Sequence, residues 1–143
     1  MIIIGIDYGD VRTGISVCDK FETLASPVKV IFQRNQEKLI DEIISIANEY
    51  NAELIVVGLP KNMDGTTGFS GKKCLEFADK IKEKSKISVT THDERLTTVS
   101  AYNLLSESNV YGKKRRAVVD EVASTIILQD FIDRRKKQGS SNG

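Results

Sequence analysis

The sequence predicts an α/β fold: a mixed five-stranded sheet, three antiparallel strands and then two parallel ones, flanked by helices. Three observations lead there. The first 32 residues hold three strand-like segments, joined by connections too short for a parallel crossover. From Asn35 the apolar period lengthens to that of a helix. Beyond it, short apolar runs alternate with helical stretches, which is the order of crossover units.

Ile2 to Asp7 is apolar at nearly every position, as a strand covered on both faces must be. Tyr8 to Arg12 is a polar turn containing Gly9, and Thr13 to Cys18 returns as the second strand. Asp19, Lys20 and Glu22 turn the chain again into Leu24 to Phe32, where Pro27 calls for an edge strand or a bulge. Leu39, Ile40, Ile43, Ile44, Ala47 and Tyr50 make one helical face, with Asn35 as its N-cap. Leu54 to Val57 is the fourth strand, ended by Gly58 and Pro60. The loop Lys61 to Gly68 is rich in turn residues. Cys74, Leu75, Ala78 and Ile81 mark a second helix to about Lys84, and Ile87 to His92 is the fifth strand. Val99, Tyr102 and Leu105 suggest a helix over 98–106, followed by a basic loop from Ser108 to Arg116. The last helix buries Val119, Val122, Ala123, Ile126, Ile127 and Phe131. Residues 138–143 are too small and polar to pack and are expected to be a disordered tail, leaving one domain over 1–137. A meander feeding two crossovers is the ribonuclease H-like topology.

With 143 residues, 40% of them apolar, the chain can bury one ordinary core. No apolar run is long enough for a membrane span, and MIIIGIDYGD lacks the basic start of a signal peptide, so a cytoplasmic location is expected. Cys18 and Cys74 have no partners at metal-ligand spacing, and with a single histidine they do not make a zinc site; free thiols are expected. Net charge is only +1, but it is unevenly spread. From Tyr111 to Lys137 eight basic residues face four acids, whereas the remainder has thirteen basic and sixteen acidic residues. A basic quarter on an acidic body suits phosphate contact, although basic helix ends alone give the same pattern.

The chemistry-bearing candidates are acids at strand and helix ends. Asp7 closes the first strand, whose lead-in is apolar except at Gly5 and so marks a central strand; a carboxylate there needs charged partners or a metal, unless it merely caps its own turn. Asp93 and Glu94 follow the fifth strand, which runs parallel to the first, so both strands end on one edge of the sheet. Successive residues point opposite ways, so one of the pair faces Asp7, and Arg95 is left to neutralise the other or to meet a phosphate. Asp120 opens the last helix beside Glu121, where a carboxylate also simply complements the helix dipole. Three acids converging on one edge repel one another unless a cation binds, and hard oxygen donors select Mg²⁺ or Mn²⁺. Two such ions would activate water and stabilise the leaving oxygen of a phosphodiester. No serine or cysteine nucleophile with a histidine base is evident, and His92 reads as structural or as a support to the site.

Together these residues resemble the YqgF family, also called RuvX, whose members carry the names Holliday junction resolvase and pre-16S rRNA nuclease. The resemblance runs from Ile2 to about Asp133. It rests on Gly5-Ile6-Asp7-Tyr8-Gly9 with Arg12-Thr13-Gly14-Ile15, on Val57-Gly58-Leu59-Pro60 with Asn62-Met63-Asp64-Gly65-Thr66, on Asp93-Glu94-Arg95-Leu96-Thr97-Thr98, and on Asp120 with Ala123, Ile126, Ile127, Leu128 and Gln129. It implies a ribonuclease H-like nuclease, with Asp7, Glu94 and Asp120 as catalytic and metal-binding acids and pre-16S rRNA as substrate. Related resolvases carry an acid at the end of the fourth strand, where this chain has Gly58-Leu59. Glu121 and Ser124 also depart from the family pattern, and Glu121 is either a further ligand or solvent-facing. Candidate nucleic-acid contacts are Arg12, Asn62, Arg95 and the run Lys113, Lys114, Arg115 and Arg116 beside Asp120.

Other readings remain. A resolvase of branched DNA uses the same chemistry in a symmetric dimer, and the sequence leaves monomer or homodimer open. A phosphate-binding half of a sugar-kinase-like ATPase needs a second domain that 143 residues do not supply. A non-catalytic RNA-binding assembly factor would keep the scaffold without turnover.

Overall fold

The computed structural model describes residues 1–60, 67–93 and 112–142, with side chains of the last stretch described over 122–137. Strands β1 (Ile3–Asp7), β2 (Arg12–Cys18) and β3 (Ala25–Phe32) precede helix α1 (Gln36–Glu49). Then come β4 (Leu54–Leu59), α2 (Phe69–Ser85), β5 (Ser88–Asp93) and a long helix, α3 (Gly112–Asn142). The sheet order is β3-β2-β1-β4-β5. β1–β2 and β2–β3 pair antiparallel, β1–β4 and β4–β5 parallel. This is the mixed five-stranded sheet that the connection lengths require. Pro27 lies on the edge strand at a register shift opposite Ile15 and Ser16, where a missing ladder donor costs least.

Alternation along the central strands splits the core in two. Ile4, Ile6, Ile15, Ile55 and Val57 point to α1 and α2, against Leu39, Ile43, Phe77 and Ile81. Ile3 and Val56 point the other way, against Ile127, Leu128 and Ile132 of α3. Each such side chain, fully buried, contributes about 1.5–3 kcal/mol. Asn35 caps α1 as its sequence position suggests, its side chain accepting from the Lys38 N–H at 3.0 Å.

Four boundaries differ from expectation by more than one residue. β4 continues through Gly58 to Leu59, because parallel pairing to β5 extends that far. α2 begins at Phe69, before its apolar stripe starts. α3 begins at Gly112, so Lys113 to Arg116 lie on a helix rather than in a loop. Lysine, arginine and alanine are good helix formers, and nothing between Gly112 and Asp120 breaks the run. At its other end the α3 backbone continues to Asn142, through the segment expected to be a disordered tail. Extending an existing helix costs far less than nucleating one. The helix expected over 98–106 falls outside the described residues.

The C-terminal half of α3 is fastened to the β2–β3 turn. Gln129 accepts from the Ala25 N–H at 2.8 Å and donates to the Thr23 carbonyl at 3.1 Å. Arg135 donates to Glu22 at 2.7 Å, and Glu22 also takes the amino group of Met1 at 3.1 Å. The hydrogen bond from Arg135, with help from that amino group, holds the Glu22 carboxyl below its ordinary value.

Candidate active site at the carboxyl edge of the sheet

Because β1, β4 and β5 are parallel, Asp7, Leu59 and Asp93 all end on one edge of the sheet. Which face each side chain takes follows from the pairing. Ile4 and Ile6 face α1 and α2, so Gly5 and Asp7 face α3. Asp7 pairs with Gly14 across the β1–β2 ladder. Arg12, two residues before Gly14, therefore shares both the edge and the face of Asp7.

The turn beyond Asp7 is fixed by glycine and threonine. A Cβ on Gly9 would collide with the Arg12 carbonyl oxygen, so only glycine fits. The buried Thr13 hydroxyl donates to the Gly9 carbonyl at 3.4 Å and accepts from the Gly9 N–H. Tyr8 turns to the opposite face and stacks on Phe77, with centroids 4.0 Å apart and planes 5° from parallel. Its hydroxyl accepts from Gln36 at 3.1 Å. Asp7 thus stands between a buried strand and an anchored ring.

Asp93 pairs with Leu59, which is buried against α2, so its side chain leaves on the face opposite Asp7. His92 pairs with Gly58 and faces α3, where its Nε2 lies 2.6 Å from Asp130. Asp130 also accepts from Arg134 at 2.8 Å, and the His92 ring meets Phe131 edge-on at 5.8 Å. His92 is a latch between β5 and α3, in line with its structural reading. No carboxylate ends β4: Leu59 is buried in the core and Gly58 has no side chain.

Helix α3 is clamped just below Asp7. The buried Ser16 hydroxyl donates to the Ser124 carbonyl at 2.8 Å. Gly5 lets the helix approach, since a Cβ there would lie 2.8 Å from Leu128 Cβ and 3.1 Å from the Ser124 oxygen. Ile3 meets Ile127, Leu128 and Ile132, whereas Gly5 meets Ser124 and Leu128, so α3 runs antiparallel to β1. Asp120 is one helical turn before Ser124, toward the edge that Asp7 occupies. Glu94, Arg95 and Asn62 lie outside the described residues. The side chains of Asp120, Glu121, Lys113, Lys114, Arg115 and Arg116 do too. Among the described residues no three His, Cys, Asp or Glu side chains form a metal-binding group.

A cleft of about 280 Å³ opens beside Asp7, between Gly9, Pro60 and the first turn of α2, where Phe69, Ser70 and Lys73 line it. Gly71 sets that turn against the end of β4, because a Cβ on it would lie 2.8 Å from the Pro60 carbonyl oxygen. The Lys73 ammonium lies 3.4 Å from Asp10 and 4.9 Å from the centroid of the Phe69 ring. Phe69 and Lys73 are not among the sequence-predicted site residues. The available signal was an aromatic residue ahead of the Cys74–Ile81 stripe, with a lysine one turn on.

Residues 1–134 match the profile of a known family, described as RuvX: Holliday junction resolvase. The chain belongs to the RuvX family. A Clostridium novyi (strain NT) protein named "Putative pre-16S rRNA nuclease" is 40% identical over 133 residues, 93% of this chain and 98% of that protein. A same-named protein of Clostridium botulinum (strain Eklund 17B / Type B) is 42% identical over 137 residues, 96% of this chain and all of the relative. Among solved structures, Thermus thermophilus RuvC in complex with Holliday junction substrate superposes with a TM-score of 0.62 at 13% identity, covering 96% of both chains. The fowlpox virus Holliday junction resolvase gives 0.55 at 13% identity, covering 94% of this chain and 99% of that one. These likenesses establish the ribonuclease H-like fold of the RuvX member described here. No described helix is long and apolar enough to cross a membrane.

Proposed function

We propose that this RuvX-family protein is a divalent-metal-dependent nuclease that hydrolyses nucleic-acid phosphodiester bonds, with pre-16S rRNA as substrate in the cytoplasm and Asp7, Glu94 and Asp120 as its metal-binding acids. The observation that carries this reading is the shared face: Asp7 and Arg12 lie together at the carboxyl edge, directly beyond the Gly5–Ser124 clamp. Asp120, Ser124 and Leu128 are spaced four apart and so follow one helical stripe. One turn from Ser124 to Asp120 rises about 6 Å, and two strand residues from Gly5 to Asp7 rise about 6.6 Å. Those matched rises support positions 7 and 120 as neighbours at the edge. Asp93 emerges on the wrong face for Asp7, and strand alternation favours the next residue, Glu94.

The donor set fits a hard cation, because all three groups are carboxylates and no thiolate or imidazole stands among them. When bound, Mg²⁺ or Mn²⁺ supplies Lewis-acid stabilisation of the phosphodiester and raises the acidity of water. The chain itself supplies position. The Gly9 turn holds Asp7, and the His92–Asp130 latch ties the end of β5 to α3, which carries Asp120. Arg12 holds a phosphate on the same face, and Lys113 to Arg116 track the strand beyond Asp120. The names of the relatives at 40–42% identity support the rRNA substrate. Action on branched DNA is the second reading, favoured by the family description. The absence of a carboxylate at the end of β4 counts against simple transfer from resolvases that use one.

The test is cleavage of a precursor 16S rRNA fragment and of a four-way DNA junction, with Mg²⁺ or Mn²⁺, by wild type and Asp7→Asn. Metal-dependent cutting of the RNA, lost in the variant, is expected. Preferential cutting of the junction would move the assignment to resolvase. Equal cutting by both proteins would remove Asp7 from the site, and RNA binding without cutting would leave an assembly factor.

A further inference from the structure

Phe69 is 76% exposed at the rim of the cleft that holds Asp7. Exposed single aromatics are ordinary, and Phe21 and Phe32 are others here. What sets Phe69 apart is its placement. The close approach of Gly71 to the Pro60 carbonyl fixes the first turn of α2 at the end of β4. Lys73 lies one turn on, with its ammonium 4.9 Å from the Phe69 ring centroid. Lys73 is also paired with Asp10 at 3.4 Å, but Asp10 is largely exposed and Lys73 partly so, and an ion pair of that kind exchanges easily for another anion. An aromatic face with a cation beside it is the pattern by which proteins hold single strands: the base stacks and the phosphate meets the cation. At about 280 Å³ the cleft is on the scale of a single nucleotide unit.

We propose that Phe69 and Lys73 form a subsite for one unpaired nucleotide of the substrate strand, its base on the Phe69 ring and its phosphate on Lys73, so that the protein engages single-stranded nucleic acid next to Asp7. This rests on the nuclease reading and narrows its substrate to a strand free of pairing at that point. A paired base already stacked in a helix has no free face for Phe69.

The test is fluorescence anisotropy with a short labelled single-stranded RNA and with the same RNA annealed to its complement, in EDTA to prevent cleavage. Wild type, Phe69→Ala, Phe69→Trp and Lys73→Gln are compared across a salt series. Phe69→Ala is expected to weaken single-strand binding about tenfold and to leave duplex binding unchanged, while Phe69→Trp keeps wild-type affinity. Lys73→Gln is expected to lower the salt slope for the single strand by about 0.7. The subsite is overturned if Phe69→Ala binds the single strand like wild type, if it loses both probes equally, or if wild type does not bind the single strand. Cleavage by wild type with Mn²⁺ is read separately. No cleavage, with the Phe69 effect intact, sinks the nuclease reading alone; cleavage with no Phe69 effect sinks the subsite alone.

Discussion

Gly5→Ala probes the packing that holds α3 over the central strand, just below Asp7. The new Cβ would lie 2.5 Å from Ser16 Oγ, 2.8 Å from Leu128 Cβ and 3.1 Å from the Ser124 carbonyl oxygen. Ordinary contact begins at 3.4 Å, so the Leu128 contact alone is short by about 0.6 Å. Neither Leu128 Cβ nor a helix carbonyl can rotate away, so the helix must shift. Overpacking of this kind costs about 1–3 kcal/mol, and the stiff neighbours place it near 2 kcal/mol or above after the small gain from a less flexible unfolded chain. For a domain of this size that lowers Tm by roughly 6 °C. The same shift displaces Asp120, and misplacement approaching 1 Å can cost up to about 10²-fold in rate. Urea unfolding gives the stability, and cleavage well below the variant's Tm gives the rate. Ser16→Ala removes the nearest clashing atom as well as the hydrogen bond to Ser124, at about 1 kcal/mol on its own. The double variant is therefore expected to lose about 1 kcal/mol less than the two single variants together. A Gly5→Ala protein as stable as wild type, or strict additivity in the double variant, would refute the clamp.

Two further outcomes are expected. Phe77→Ala removes a fully buried ring and the face on which Tyr8 stacks; it should cost about 3–5 kcal/mol in urea unfolding. The Glu22 carboxyl is held below its ordinary 4.5, so its stabilisation is complete above that value and is lost as pH falls through the lower, folded one. Glu22→Gln should therefore lower stability by about 1 kcal/mol at neutral pH. That deficit should close on acidification, and a gap that persists unchanged at low pH would show that Glu22 acts through packing instead.

Much of the fold is legible in the sequence because its signals are local. The nearly all-apolar run Ile2–Asp7 is the central strand, and the short turns after Asp7 and Cys18 force antiparallel neighbours. Pro27 marks the edge, and Asn35 marks the start of α1. Boundaries set by tertiary pairing were less legible: β4 reaches Leu59 only because β5 pairs with it, and Gly58 and Pro60 read locally as a stop. Of the candidate site, the edge that Asp7 occupies follows from the order and direction of the strands, whereas its face required knowing which core Ile4 and Ile6 join. The opposite orientation of Asp93 required the register of β5, which periodicity does not give. Gly5 illustrates the same limit. In sequence it is one gap in an apolar strand; in the fold it is the point where a helix more than a hundred residues away touches the sheet.

The basic C-terminal quarter needs the same separation of pattern from place. Of its eight cations, Arg134 is engaged by Asp130 and Arg135 by Glu22. Arg135 lies fifteen residues beyond Asp120, roughly 22 Å along the helix axis. Because α3 runs antiparallel to β1, that displacement carries it away from the carboxyl edge, toward the amino group of Met1. Charge that distant, already paired and screened over about 8 Å at physiological salt, adds little at the site. Lys113 to Arg116 differ in kind: they precede Asp120 on the same helix, within two turns of it and on the side toward the edge. With Arg12 on the face of Asp7 and Lys73 at the cleft, the proposed site draws its cations from two elements besides α3. On the nuclease reading proposed above, a strand of phosphates drawn to that edge would meet Arg12 and Lys73 beside Asp7, and such cations are what a polyanion needs to approach a carboxylate.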